Sequence, residues 1–528
     1  MAYGTDVSRR ARVRLGRAAV LVGVAGLLTV TVWASPGFAT NRASAGTITP
    51  KHGGTLTIGE SAVPIGLDPT TTIAASSWDP ISLIYSGLLR WSPDMKVEPD
   101  LATSYDNPNP TTFVFHLRRG VKFQNGQPFT AADVKYTFDR ILDPATASPL
   151  AGEYSEINAV TVVNPYTVKF SLKDASAPFL SALATVPDGM IVPRGVADLA
   201  THPVGTGPFA FVSYQPNQQL VLKANPNFYE KGLPYLNGVV LKYFGDQSSI
   251  VSAIRGGAVD MTWLSDPKVA ATAGVRPALS GNTWPVWLKL NQPPLNDYRV
   301  RRALSLATNR EAIINTVLGR ANGQLSGLIP SAEFGGDKTP AKNLHFYNYN
   351  LAEAKKLLAE AGYPNGIDLG DFDVNANAPQ DVQVVQILQQ QWAAAGVKVN
   401  VHPMGPADLI KAWHAGNFTV IALQTKVLPD PDVIAEKVRS TNALWGQAWG
   451  FHDTKMDSMI AAARAELNPK KRAADYLQIQ KRFADQAYAI IVFQSAGQWE
   501  LWRNYVKGYK PSILTLHTGV RSTWLNRR

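Results

Sequence analysis

The chain has 528 residues, of which 45% are hydrophobic and 17% charged, with a formal net charge of +11. That length exceeds what one hydrophobic core supports, so two or three domains are expected. Five arginines and one aspartate in the first 39 residues carry four of the eleven charges; no dense basic run follows, which argues against a nucleic-acid partner. The absence of cysteine excludes disulfides, thiolate metal sites, a Cys nucleophile and a lipidated N-terminal Cys.

Arg9, Arg10, Arg12, Arg14 and Arg17 form a basic region ahead of the apolar run Ala18–Ala34. Small residues follow at Gly37-Phe38-Ala39 and Ala43-Ser44-Ala45, the pattern of a secretory signal peptide over 1–39. An uncleaved anchor is the alternative, because the run sits at the lower limit for spanning a bilayer. Ser8-Arg9-Arg10 leaves Sec and twin-arginine export both open.

Next, Gly53–Gly59 alternates as a short strand, Leu67-Asp68-Pro69 is a turn, and Trp78–Leu89 reads as a helix after Asp79-Pro80. Phe113, Phe115 and Leu117 alternate with polar positions, a half-buried strand. Val121–Phe123 starts a second short strand before the Asn125-Gly126 turn. Thr130 is an N-cap with Asp133 three residues on, and Val134, Phe138 and Ile141 share one helical face. Val160–Leu172 reads as a hairpin broken at Asn164-Pro165. The loop Val204–Phe209 has two glycines but neither the Walker lysine nor a third glycine, so a turn between strands is expected rather than a phosphate cradle. Ser248–Arg255 forms a short helix leading through Asp260 into a strand. The second half is helix-rich. Asn350 caps Leu351–Ala361, Val382–Ala395 ends at Gly396, and Asn468-Pro469 opens a helix. Strands are expected at Val397–Val401, Thr419–Leu423 and Ala489–Phe493, an α/β pattern.

The long string LRRGVKFQNGQPFTAADVKYTF, from Leu117 to Phe138, resembles the signature of the extracytoplasmic solute-binding proteins of ABC importers. The subgroup is that of dipeptide-, oligopeptide- and nickel-binding proteins, bacterial solute-binding family 5. PVGTGPFAFVSY, NPNFYEKGLPYLNGVVLKYF, LNQPPLNDYRVRRALSLATNREAI and NLAEAKKLLAEAGYPNG extend the resemblance from about Gly53 to about Tyr509.

The resemblance implies an α/β, bilobal periplasmic-binding-protein-like fold with an extra domain inserted in the first lobe. The first lobe would be discontinuous (53–90, 203–280 and 500–528), the inserted domain would span 91–202, and the second lobe 281–499. It implies no catalysis and no cofactor. The expected partners are a small-molecule or peptide ligand and the permease subunits of the membrane. A monomer is expected, exported to the periplasm, the cell surface or the medium.

Short catalytic and metal motifs are missing: HExxH, GxSxG and a P-loop lysine do not occur, and the eight histidines lack zinc spacing. Six of the 13 tryptophans fall in segments matching the family's pocket-lining regions: Trp78, Trp263, Trp284, Trp287, Trp445 and Trp449. Aromatic side chains bury large area at little entropic cost, which suits an enclosing pocket; core packing is the alternative reading for each. In Gln424–Pro431, the position where peptide-binding relatives carry an Asp for the peptide's amino terminus holds Val427, and Gln424 opens the same loop. Valine cannot pair with an ammonium group. Asp430 could shift into that role, although it matches the family's other acidic position. The expected solute is a peptide or peptide-like molecule. An oligosaccharide, a secreted hydrolase using the same cleft, and a surface sensor without a permease remain as alternatives.

Overall fold

The computed structural model describes residues 49–527, except 94–95, 265–268, 270–277, 280–282, 321, 331–335, 337–339, 341–347, 425–429, 443–444, 496 and 511–518. The leader over 1–39 therefore lies outside the described residues. Among those described, no helix is long and apolar enough to cross a membrane.

Three principal sheets organise the chain. A seven-stranded sheet runs in the order Ala278–Leu279, Gly497–Trp502, Met261–Leu264, Thr55–Glu60, Gly238–Tyr243, Gln219–Ala224, Phe209–Gln215. Thr55–Glu60 is its parallel centre, flanked by Gly238–Tyr243 and Met261–Leu264. Between Glu60 and Phe209 the chain builds a separate four-stranded antiparallel sheet: Ala102–Asn109, Thr112–Leu117, Thr167–Leu172, Ile157–Asn164. Between Leu279 and Gly497 it builds a six-stranded mixed sheet: Gly323–Gln324, Ala489–Ser495, Thr283–Leu288, Val420–Ala422, Ile367–Asn375, Val397–Met404. The chain thus leaves the first sheet twice and returns to it twice.

The insert owes its shape to local sequence. Phe113, Phe115 and Leu117 are buried against Phe138, Tyr154, Phe170 and Phe179. The helix Ala131–Leu142 starts at Thr130, whose N–H and hydroxyl both meet the Asp133 carboxylate, at 2.8 and 3.0 Å. Val121–Phe123 is not a strand; it holds only an isolated bridge between Lys122 and Pro128, because the Asn125-Gly126 turn follows too soon for a ladder. The insert is tied to the first sheet by Arg140, which reaches Asp68 of the Leu67-Asp68-Pro69 turn at 2.6 Å.

The first helix covers Ala75–Ile84, not Trp78–Leu89, with Pro80 inside it. Leu89–Trp91 is instead a strand. The glycine loop packs on the end of this helix. A Cβ on Gly205 would lie 2.1 Å from the Ile84 carbonyl oxygen, and one on Gly207 2.6 Å from the Ile84 carbonyl carbon. Backbone proximity accounts for these glycines, and no phosphate is needed to explain them.

Candidate functional site

In open α/β sheets, ligands favour the crevice outside the carboxyl ends of parallel strands. Glu60 and Trp263 sit at those ends in the seven-stranded sheet. The Trp263 indole donates to Glu60 Oε2 at 2.9 Å. Burial pushes the Glu60 carboxyl up to about 8, and the indole bond only partly offsets this. Gln424 lies just beyond Val420–Ala422 in the six-stranded sheet. It is exposed, and its amide donates to Asp381 Oδ1 at 2.7 Å. Trp284 donates to the same oxygen at 2.9 Å. Burial raises the Asp381 carboxyl, and these two donors lower it in part.

Trp78 is half-buried on the wall of a cavity of about 680 Å³, together with Tyr85, Trp91, Thr185 and Tyr509. Its indole donates to the Ile73 carbonyl at 3.2 Å. The charged groups of this cavity close on one another. Arg90 meets Glu230 at 2.6 Å and Asp100 at 3.2 Å, and Arg521 lies 3.5 Å from both carboxylates.

The remaining tryptophans divide. Contrary to the expectation of solute contact, Trp287 and Trp449 have no exposed surface, and Trp284 retains 2%. Trp287 packs edge-on to Trp413 and Trp449, with centroids 5.4 and 4.9 Å apart. The reason is that Thr283–Leu288 is central in its sheet and buried on both faces. Trp284 joins one core beside Phe493, and Trp287 joins another on the opposite side. Trp445 is half-buried, with the Lys437 ammonium 4.2 Å from its ring centroid. Val427 lies outside the described residues.

Asp430 has a different task from a solute anchor. Both its oxygens are gripped by Arg472, at 2.6 and 2.9 Å, and each side chain is 7% exposed. The Asp432 N–H adds a bond at 3.0 Å. The insert reaches this clamp as well: Ser181 donates to Asp430 Oδ2 at 2.8 Å. Beside it, the Ala177 N–H donates to the Arg464 carbonyl at 2.8 Å. The Arg464 guanidinium is shared by Asp432 at 2.6 Å, Glu436 at 3.2 Å and Glu156 of the insert. The insert and the six-stranded unit therefore meet along a polar seam. Sequence spacing does not single out its residues (Glu156, Ala177, Ser181, Arg464), because they come from separate elements without a shared motif. Among the described residues, no cluster of three metal-ligating side chains occurs.

The described geometry agrees with known proteins. Heme-binding protein A of Haemophilus influenzae is 29% identical over 85% of this chain and 88% of its own. Di/tripeptide-binding protein 2 of Pseudomonas aeruginosa is 27% identical over 87% and 93%. The periplasmic binding protein AgaA of A. tumefaciens R10, solved with agropinic acid, is 26% identical with a TM-score of 0.77, covering 90% of this chain and 99% of that one. The bilobal α/β fold of periplasmic binding proteins is thereby established. The profile of the bacterial extracellular solute-binding proteins, family 5, matches residues 96–443, about two thirds of the sequence. This chain belongs to that family, the substrate-binding proteins of ABC importers.

Proposed function

We propose that the chain captures a peptide or peptide-like solute between its two lobes and hands it to a membrane permease, outside the cytoplasm and as a monomer. The observation that carries this is the likeness to a di/tripeptide-binding protein over 87% of the chain. Side-chain exposure supports it: Trp263 and Trp445 offer partly exposed aromatic surface, and Gln424 offers an exposed amide. With Trp78 on its own cavity wall, these are the contacts proposed for solute. Trp284, Trp287 and Trp449 serve as the walls behind them. Residues 1–39 act as the export signal in this reading, and the protein turns nothing over.

Thermal-shift screening of the exported form with di- and tripeptides tests this. A peptide at a hundred times its dissociation constant adds about 2.7 kcal/mol of stability. Stabilisation by peptides and not by oligosaccharides is expected; the reverse would overturn the solute class.

A further inference from the structure

The cavity of about 680 Å³ beside Trp78 has the size of a small-molecule site, about 300–1,000 Å³. Its charged lining is balanced: Arg90, Lys510 and Arg521 are matched by Glu98, Asp100 and Glu230. Arg90 and Arg521 already hold Asp100 and Glu230, and Arg90 Nε lies 3.7 Å from Glu98. A charged ligand group would have to break one of these part-buried pairs and strand a partner.

Directional bonding in the same network is incomplete. A guanidinium offers five N–H donors. Among the described residues, Arg90 hydrogen-bonds only through Nη1, to Asp100 and Glu230. Arg521 hydrogen-bonds only through Nη2, to the Tyr229 hydroxyl at 3.3 Å. The Arg521 side chain is nevertheless only 15% exposed, with its guanidinium 5.2 Å from the Phe228 ring centroid. Donors shielded to that extent call for an acceptor. The charges are satisfied and the donors are not, a combination that an uncharged oxygen completes.

The aromatic wall points to the same chemistry. Trp78, Trp91 and Tyr509 line the cavity, and protein engages the polar end of each. The Trp78 indole donates to the Ile73 carbonyl and the Trp91 indole to the Thr185 hydroxyl, both at 3.2 Å; the Tyr509 hydroxyl donates to Glu500 at 3.0 Å. What these three residues offer the cavity is ring surface. A sugar ring presents C–H faces to such surface and, around its edge, hydroxyls that both accept and donate.

We propose that this cavity is a subsite for an uncharged sugar ring carried by the solute, stacked on the aromatic wall with its hydroxyls on the unfilled donors of Arg90 and Arg521. The inference rests on the peptide reading above and deepens it: the solute is a peptide-like molecule bearing a sugar.

Calorimetry with a seryl dipeptide, its O-glucosyl form, its O-phosphoryl form and methyl glucoside tests the subsite. The wild type should bind the glucosyl peptide at least tenfold tighter than the plain and phosphoryl forms, a result that needs no variant to fold. The chain has no cysteine, so Lys510→Cys puts a single thiol on the cavity wall. Coupling fluorescein maleimide to it should bring the glucosyl peptide down to the affinity of the plain one, which stays within about threefold of the unlabelled variant. Equal wild-type affinity for the plain and glucosyl peptides overturns the subsite and leaves the peptide reading standing. A sugar preference that survives the label overturns it too, as does tighter binding of the phosphoryl form. Methyl glucoside binding that the label blocks, with no peptide bound, would keep the subsite and remove the peptide reading. Binding of neither the glucosyl peptide nor methyl glucoside overturns the subsite.

Discussion

The Asp430–Arg472 pair gives a sharp test of how the seam is built. Replacing Asp430 with Ala leaves a guanidinium that is 7% exposed without its two-pronged partner. The Ala463 carbonyl at 3.2 Å and the Tyr476 hydroxyl at 3.1 Å stay among its partners, neither of them charged. Stranding one half of a buried ion pair costs about 3–5 kcal/mol. At about 2–4 °C per kcal/mol for a unit of roughly 200 residues, melting should fall by roughly 6–20 °C. Scanning calorimetry or urea unfolding reads this directly. Arg472→Met should cost a similar amount, since it leaves the carboxylate to Ser181 and one backbone N–H. The double variant Asp430→Ala, Arg472→Met should recover at least half the loss, because no charge is then buried alone. Ser181→Ala removes one of the bonds across the seam and should leave lobe stability within about 1–2 kcal/mol. An Asp430→Ala protein that melts normally but fails to bind free-amine peptides would refute this reasoning and make Asp430 the solute anchor.

Other consequences follow from the same contacts. Arg464→Met leaves Asp432, Glu436 and Glu156 facing one another without their shared cation; small-angle scattering of the unliganded protein should show a larger radius of gyration, and an unchanged radius would deny Arg464 a role in holding the seam. Trp287→Ala should cost about 3–5 kcal/mol as a core truncation, with any loss of solute affinity matched across all solutes in calorimetry; a loss confined to one solute class would place Trp287 at the ligand. Burial alone would raise the Asp453 carboxyl, but bonds from Arg482 at 2.7 Å and Tyr488 at 2.6 Å, with the Met456 N–H, bring it down to about 2. A depressed carboxyl stabilises above its unfolded pKa near 4 and loses that contribution as pH falls toward 2. Acid unfolding should therefore show about 2–3 kcal/mol from this group over that window, absent in Asp453→Asn.

Much of the scaffold could be read from sequence because the signals are local. The alternation of Phe113, Phe115 and Leu117 placed a strand, and Thr130 with Asp133 placed a helix start. Asn350 caps its helix through Glu353, as its spacing implied. The first helix began earlier than expected because Pro80 is tolerated inside it rather than at its start. The tryptophans were less legible. Residue type marks a pocket wall and a core wall alike, and only position in the fold separates Trp287, on a central strand, from Trp445, in a turn. The run Thr283–Leu288 held the clue: six residues with no strongly polar member suit a strand buried on both faces. The seam was less legible for another reason: Ser181 and Asp430, or Glu156 and Arg464, meet only where the insert packs on the six-stranded unit, which no short-range pattern encodes.

The most direct test of the central claim is native mass spectrometry of the exported protein after incubation with a defined mixture of di- and tripeptides, with the released solute identified afterwards. The account predicts a one-to-one complex from which an intact peptide is recovered. Cleaved peptide in the complex or in solution would make the protein a hydrolase. A complex with no member of the mixture, under conditions where the protein is folded, would contradict peptide capture.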